Sequence, residues 1–157
     1  MDQIVHVEQG IRLIPESLIG KTAYSGTLLE NFKKCASVGG SGLIFFDKRR
    51  EPKQWLQDGT FYVRSLGEAT EYAVKTAAFL RTRKDVDCTP LVMAGTIPWD
   101  RYFETDQGKV PIGILFPVER VWIPQGEYSW TDVVDIKTGR FKMRPVFKEI
   151  DPKSLLS

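Results

Sequence analysis

The sequence predicts an α+β fold: a mixed, mainly antiparallel sheet with two helices, in one compact domain over residues 1–157. Short apolar runs bounded by turn residues predict strands, and two segments have apolar residues three or four positions apart, as helices do. Apolar residues make up 42% of the chain and charged residues 27%, which is ordinary for a globular protein and argues against disorder.

The first half of the chain alternates predicted strands with one helix. Strands are predicted for IVHV (4–7) and IRLI (11–14), and again for GLIFF (42–46) and TFYVR (60–64). Between them, a helix is predicted within SGTLLENFKKCASVGG (25–40), because its apolar residues have helical spacing and two glycines would end it.

The clearest helix begins at Ser65, which forms a capping-box pair with Glu68. One face of this helix is apolar at helical spacing and contains Leu66, Ala69, Ala73, Ala77 and Leu80. Three alanines on that face would allow the helix to lie close to a sheet. Basic residues within RTRKD (81–85) suit the helix C-terminus, where the helix dipole favours positive charge.

The second half predicts a buried strand at PLVMAGTI (90–97), an interrupted strand over 109–124 and a hairpin over 130–147. From residue 11 to residue 97 the order is strand, helix, strand, strand, helix, strand. This is the βαββαβ order of ferredoxin-like domains, to which the C-terminal β-hairpin would be added. The alternative is a small β-barrel with two helices.

The segment KTGRFKMRPVFK, Lys137 to Lys148, holds five bases and no acid, whereas the remaining chain has 17 bases and 20 acids. If Thr138 and Gly139 form the turn, Val134 lies opposite Met143 and Asp135 opposite Lys142. One face is then apolar, with Val134, Ile136, Phe141 and Met143, and the other is basic, with Lys137, Arg140, Lys142 and Arg144. This basic face predicts a partner-binding surface, although it is also what the solvated side of a hairpin would show.

A second candidate surface is the predicted loop 99–103 within TIPWDRYFETDQG. Trp99, Tyr102 and Phe103 surround Arg101 there, and aromatic residues and arginine are enriched at binding hot spots. The same rings could instead cap an open end of the core.

Several classes of site are excluded by composition. Two cysteines cannot build a disulfide framework, and a single histidine, His6, excludes a two-histidine metal site. No cofactor, metal site or catalytic residue is assigned. The longest apolar stretch (110–118) is too short for a membrane span and contains prolines. The expected location is the cytoplasm, or a host cytoplasm if the chain is phage- or virus-encoded.

One enzymatic alternative remains. Glu119, with Asp135 and Lys137 on the next predicted strand, resembles the acid…(D/E)-x-K arrangement of metal-dependent nucleases. That resemblance implies two carboxylates holding Mg²⁺ while Lys137 positions a water molecule.

The leading hypothesis is a non-enzymatic binding module, a small adaptor or inhibitor that docks on a protein partner. Its aromatic loop would be the anchor and its basic face would steer the encounter. The first alternative is a sequence-tolerant nucleic-acid-binding protein, and the second is the nuclease. Homodimerisation through an exposed strand edge is open, and no membrane association is expected.

Overall fold

The computed structural model of the protein describes residues 11–13, 20–39, 42–46, 65–96, 101–105, 108–111 and 115–156. The strands predicted at 4–7 and 60–64 lie outside these residues, as does Trp99.

A four-stranded antiparallel sheet organises the described fold. Its strands, in spatial order, are β12 (Phe147–Ile150), β9 (Arg120–Pro124), β5 (Pro90–Thr96) and β2 (Thr22–Leu28). Residues 90–95 of β5 are all buried, because this inner strand is covered on both faces of the sheet. The buried strand predicted from PLVMAGTI is therefore confirmed.

Helix α2 (Leu66–Lys84) covers one face of this sheet. The predicted N-cap is confirmed, because the side chain of Ser65 accepts a hydrogen bond from the backbone N–H of Glu68. The buried face contains the three predicted alanines, together with Val74 and Ala78. The helix approaches β2 so closely that a Cβ atom on Gly26 would lie 2.3 Å from the carbonyl oxygen of Ala69.

The opposite face is covered by α1 (Leu29–Cys35) and by the sheet of β3 (Ala36–Gly39), β4 (Gly42–Phe46) and β8 (Leu115–Pro117). The stacked rings of Phe32 and Phe45, with centroids 6.2 Å apart, lie in one buried cluster with Leu91 and Met93 of β5. This cluster joins the two sheets.

The helix predicted within 25–40 is shorter than expected. Thr22–Leu28 forms strand β2, which pairs with β5 along its full length, so only Leu29–Cys35 is helical. Residues 36–39 form β3, and Gly39 pairs with Gly42 of β4. Gly39 therefore belongs to a strand pair and does not end a helix.

Two smaller sheets complete the described fold. Strand β6 (Arg101–Thr105) pairs with both β1 (Ile11–Leu13) and β7 (Gly108–Pro111). Strands β10 (Val134–Asp135) and β11 (Arg140–Phe141) form a short hairpin preceded by the one-turn helix α3 (Trp130–Val133). A 3₁₀ helix, Pro152–Leu155, follows β12.

The predicted α+β class, with mainly antiparallel strands, is confirmed. The βαββαβ order is present along the chain, but it begins with β2, because β1 pairs with β6 in another sheet. Nor do its strands share one sheet, since β3 and β4 pair with β8 and not with β2 or β5. The barrel alternative is wrong, because the four-stranded sheet is open. Within the described residues, no helix is long and apolar enough to cross a membrane.

Candidate macromolecular-binding surface

The β10–β11 hairpin rests on α2 through a small apolar cluster. Val133 and Val134 are buried against Val74 and Ala78, with Phe141 packed beside them. The ammonium nitrogen of Lys75 lies 5.8 Å from the ring centroid of Phe141, within reach of a cation–π interaction. The alternating pattern of apolar residues thus places the hairpin on the helix with its polar side outward.

The turn of this hairpin differs from the prediction. Val134 pairs with Phe141 and Asp135 with Arg140, so residues 136–139 form a four-residue loop, not a two-residue turn at Thr138 and Gly139. The observed register is shifted by two residues, which leaves the paired side chains of Val134, Asp135, Arg140 and Phe141 on their predicted faces. Alternation cannot distinguish these registers, and the loop geometry selects between them.

Local hydrogen bonds stabilise the loop. A carboxylate oxygen of Asp135 accepts from the backbone N–H of Lys137 at 3.0 Å, and the backbone carbonyl of Asp135 accepts from Gly139 at 2.7 Å. Gly139 has φ 74°, a left-handed conformation that glycine adopts without strain. The hydrogen bond from Lys137 is the largest cause that lowers the pKa of Asp135, and the charge of Lys142 acts in the same direction.

All four side chains of the basic surface, Lys137, Arg140, Lys142 and Arg144, are exposed. The ion pairs among the described residues lie elsewhere, where Arg81 contacts Asp85 and Asp87 and where Arg120 contacts Glu149. Within that part of the chain, the four bases form no ion pair. Among the described residues, these four side chains are therefore solvent-exposed and outside any ion pair.

Two exposed apolar residues lie in the same segment. Met143 is 48% exposed, which corrects its predicted place on the buried face, and Val146 is 54% exposed. The strand ends at Phe141, so the alternation that would have buried Met143 no longer applies. The backbone is nevertheless held at Val146, whose N–H donates to the Tyr128 hydroxyl at 3.0 Å and whose carbonyl accepts from Gln125 at 2.7 Å.

The predicted aromatic loop 99–103, which we call the aromatic segment, is a strand from Arg101 onward. Residues 101–105 are the central strand of the β1–β6–β7 sheet and not a loop: Tyr102 pairs with Arg12 and Pro111, and Phe103 pairs with Ile11 and Val110. Aromatic residues favour strands, and Tyr102 and Phe103 have strand partners on both sides. The prediction that Trp99, Arg101, Tyr102 and Phe103 bind a partner stays a prediction.

The three residues of the nuclease hypothesis lie on different elements. Lys137 lies in the loop and shares no strand with Asp135, which is in the β10–β11 sheet. Glu119 immediately precedes β9 of the four-stranded sheet, where both its carboxylate oxygens accept from the Thr96 hydroxyl, at 3.1 and 3.0 Å. In the described ranges, no group of three or more His, Cys, Asp or Glu residues could hold a metal ion.

Sequence reasoning missed two exposed aromatic residues on α2. Tyr72 and Phe79 lie on the side of the helix away from its buried alanines. The helical spacing could have revealed them, because two residues seven positions apart lie on the same side of a helix and neither belongs to its apolar face.

Comparison of the chain with protein-family models, with curated proteins and with solved structures finds no match.

Proposed function

We propose that this protein is a non-enzymatic binding module that docks its basic surface on an acidic face of a protein partner. The observation that carries the proposal is the set of four exposed bases, unpaired within the described residues, beside exposed Met143 and Val146. Such a module would act as a small adaptor or inhibitor, in the cytoplasm or a host cytoplasm.

The mixture of charge and apolar surface favours a protein partner. Arginine and methionine are enriched at protein interfaces, and Met143 lies directly between Lys142 and Arg144. A phosphate backbone would use the charges but would leave the two apolar side chains in water. We therefore expect Met143 and Val146 to contact an apolar spot that acidic residues surround on the partner.

The scaffold beneath this surface limits the cost of binding. Val133 and Val134 hold the hairpin on α2, and the backbone hydrogen bonds of Val146 hold the segment that follows. A surface already ordered before binding loses less conformational entropy in the complex. The basic surface is thus suited to recognition without refolding.

A sequence-tolerant nucleic-acid-binding protein is the second candidate, because the same four bases could neutralise phosphates. Affinity would then fall with salt with a log–log slope of about −3 to −4, since about one counterion is released per phosphate contact. The nuclease hypothesis would need a metal site near Glu119 or Asp135. Glu119 precedes β9, whereas Asp135 lies in the β10–β11 sheet, and this placement gives the hypothesis no support.

The first test replaces three bases by serine in one variant, Arg140→Ser, Lys142→Ser and Arg144→Ser. A matched control removes three exposed lysines elsewhere, Lys33, Lys34 and Lys153. A protein partner is identified by cross-linking and its association is followed by surface plasmon resonance. We expect the hairpin variant to associate about tenfold more slowly and the control to be unchanged, because charges at an interface rim mainly set the on-rate.

Two further variants test the apolar residues of the basic surface and the aromatic segment separately. Met143→Ser with Val146→Ser should mainly speed dissociation, since these side chains make contact only in the docked complex. Trp99→Ala tests whether the aromatic segment contributes an anchor.

Binding to labelled single- and double-stranded DNA and RNA across a salt series, with Mg²⁺ present, is the opposing measurement. Salt-sensitive binding that the hairpin variant loses and the control keeps would replace the protein partner by nucleic acid. Cleavage of the labelled strands would restore the nuclease hypothesis.

A further inference from the structure

The outward side of α2 carries an aromatic pair that the basic surface does not use. Tyr72 is 53% exposed and Phe79 is 46% exposed. Seven residues span about two turns, so both rings lie on the same side of the helix, about 10 Å apart along its axis. Large aromatic side chains in this position present apolar surface to water.

Opposite charges flank the aromatic pair. Glu68 lies four residues before Tyr72, and Arg83 lies four residues after Phe79, so each is one turn beyond the neighbouring ring. Both are exposed, and the guanidinium carbon of Arg83 lies 5.3 Å from the ring centroid of Phe79. We call these four residues, Glu68, Tyr72, Phe79 and Arg83, the α2 stripe.

The α2 stripe is symmetric about its own centre. The midpoint between Tyr72 and Phe79 falls between Lys75 and Thr76, and so does the midpoint between Glu68 and Arg83. A two-fold axis through that point would bring a second copy of α2 antiparallel to the first. Tyr72 would then face Phe79 of the other copy, and Glu68 would face Arg83 of the other copy, twice over.

We propose that α2 is the interface of a homodimer in which two copies of this chain pair antiparallel through the α2 stripe. A two-fold interface must be self-complementary, because the same patch is used by both subunits. The α2 stripe meets this condition, because each glutamate would face an arginine and each aromatic ring would face another ring of similar size. A parallel arrangement would instead place like charges together at both ends of the stripe.

The remaining charge near the centre is directed away from it. The ammonium nitrogen of Lys75 is within 5.8 Å of the Phe141 ring centroid, on the side of α2 where the β10–β11 hairpin lies. The two Lys75 side chains of a dimer can therefore stay at the border of the interface. The hydroxyl of Thr76, next to Lys75, already donates a hydrogen bond within α2, to the Tyr72 carbonyl at 2.8 Å.

A contact made by one side of one helix is at the small end of protein interfaces, so the dimer is expected to be weak and concentration-dependent. Sedimentation velocity of the full chain from about 10 µM to about 1 mM covers Kd values in the range expected for such a contact. The sequence leaves homodimerisation through a strand edge open; the α2 stripe instead assigns the contact to a helix surface.

The deciding experiment reverses each charge separately. Glu68→Arg and Arg83→Glu should each raise the dimer Kd about tenfold or more, because two attractive pairs become two repulsive pairs. Mixing the two variants in equal amounts should restore a dimer, since the heterodimer contains both attractive pairs again. Lys33→Glu, a reversal at an exposed position on α1, should leave the dimer unchanged.

Phe79→Ser tests the apolar part without altering charge or the cap at Ser65, and it should also raise the Kd about tenfold. A chain that stays monomeric over the whole concentration range overturns the proposal. So does a dimer that Phe79→Ser does not weaken, which would place self-association on another surface. Two folded charge variants that fail to associate on mixing would reject the antiparallel pairing.

Discussion

Gly26 lies in β2 where α2 crosses the sheet. A Cβ atom there would be 2.3 Å from the Ala69 carbonyl oxygen and 3.1 Å from the Cβ of Ala73. Small residues are therefore needed on both sides of this crossing. The alanines of α2 were visible in the sequence as one face, but their counterpart in the strand was not.

Gly26→Ala should destabilise the protein by about 2 kcal/mol or more, because helix and sheet must separate to admit the methyl group. The free energy of unfolding in urea measures this loss. Gly67→Ala is the matched control, since no atom lies within 4 Å of the added Cβ. In the helix it should stabilise by about 0.5 kcal/mol. Equal effects at the two sites would contradict the close approach.

In the β10–β11 hairpin, hydrogen bonds within the loop select the strand register, which the alternation of side chains alone does not specify. Registers that differ by two residues place the same side chains on the same faces. The hydrogen bonds of Asp135 to Lys137 and Gly139 favour the four-residue loop. Asp is common in such turns because its carboxylate accepts from the backbone two residues on.

The Asp135 carboxylate should make the hairpin sensitive to acid. Its pKa in the folded protein lies below the ordinary 3.8, mainly through the hydrogen bond from Lys137, so ionisation favours folding. This contribution is fully present above pH 3.8 and is lost as the pH falls through the lower folded value. Asp135→Asn should therefore lower stability at about pH 6, and this effect should be smaller at about pH 2.

Urea unfolding of the wild type and of Asp135→Asn at both pH values measures the difference, and carboxyl ¹³C shifts report the pKa of Asp135 directly. Glu127→Gln removes an exposed carboxylate that makes no side-chain hydrogen bond or ion pair within the described residues. Its effect on the free energy of unfolding should be smaller than that of Asp135→Asn at the higher pH. A folded pKa at or above the ordinary value would show that the loop hydrogen bond does not stabilise the charge.

In the molecule as a whole, Phe32 links the four-stranded sheet to the β3–β4–β8 sheet. Its ring stacks on Phe45 of β4 and lies in the buried cluster that contains Met93 of β5 and Val121 of β9. A shared core makes the layers unfold together. That all 157 residues form one domain stays a prediction.

Phe32→Ala should cost about 3–5 kcal/mol, because it leaves a large cavity between two sheets. Far-ultraviolet and near-ultraviolet circular dichroism should give one common urea midpoint, which the variant lowers equally in both signals. Val38→Ala, at an exposed position on β3, should change stability by less than about 0.5 kcal/mol. Separate midpoints for the two signals would show that the layers fold independently.

Local sequence patterns were enough to predict the α+β class, the extent and N-cap of α2, the buried strand that begins at Pro90 and the basic side of the β10–β11 hairpin. These features depend on local periodicity and capping, which neighbouring residues specify. Local patterns did not predict strand 22–28, since its pairing with β5 prevails over helical spacing at Leu28. Nor did they predict the sheet at 101–105 or the placement of α1 and α2 on opposite faces, because these contacts join residues far apart in the chain.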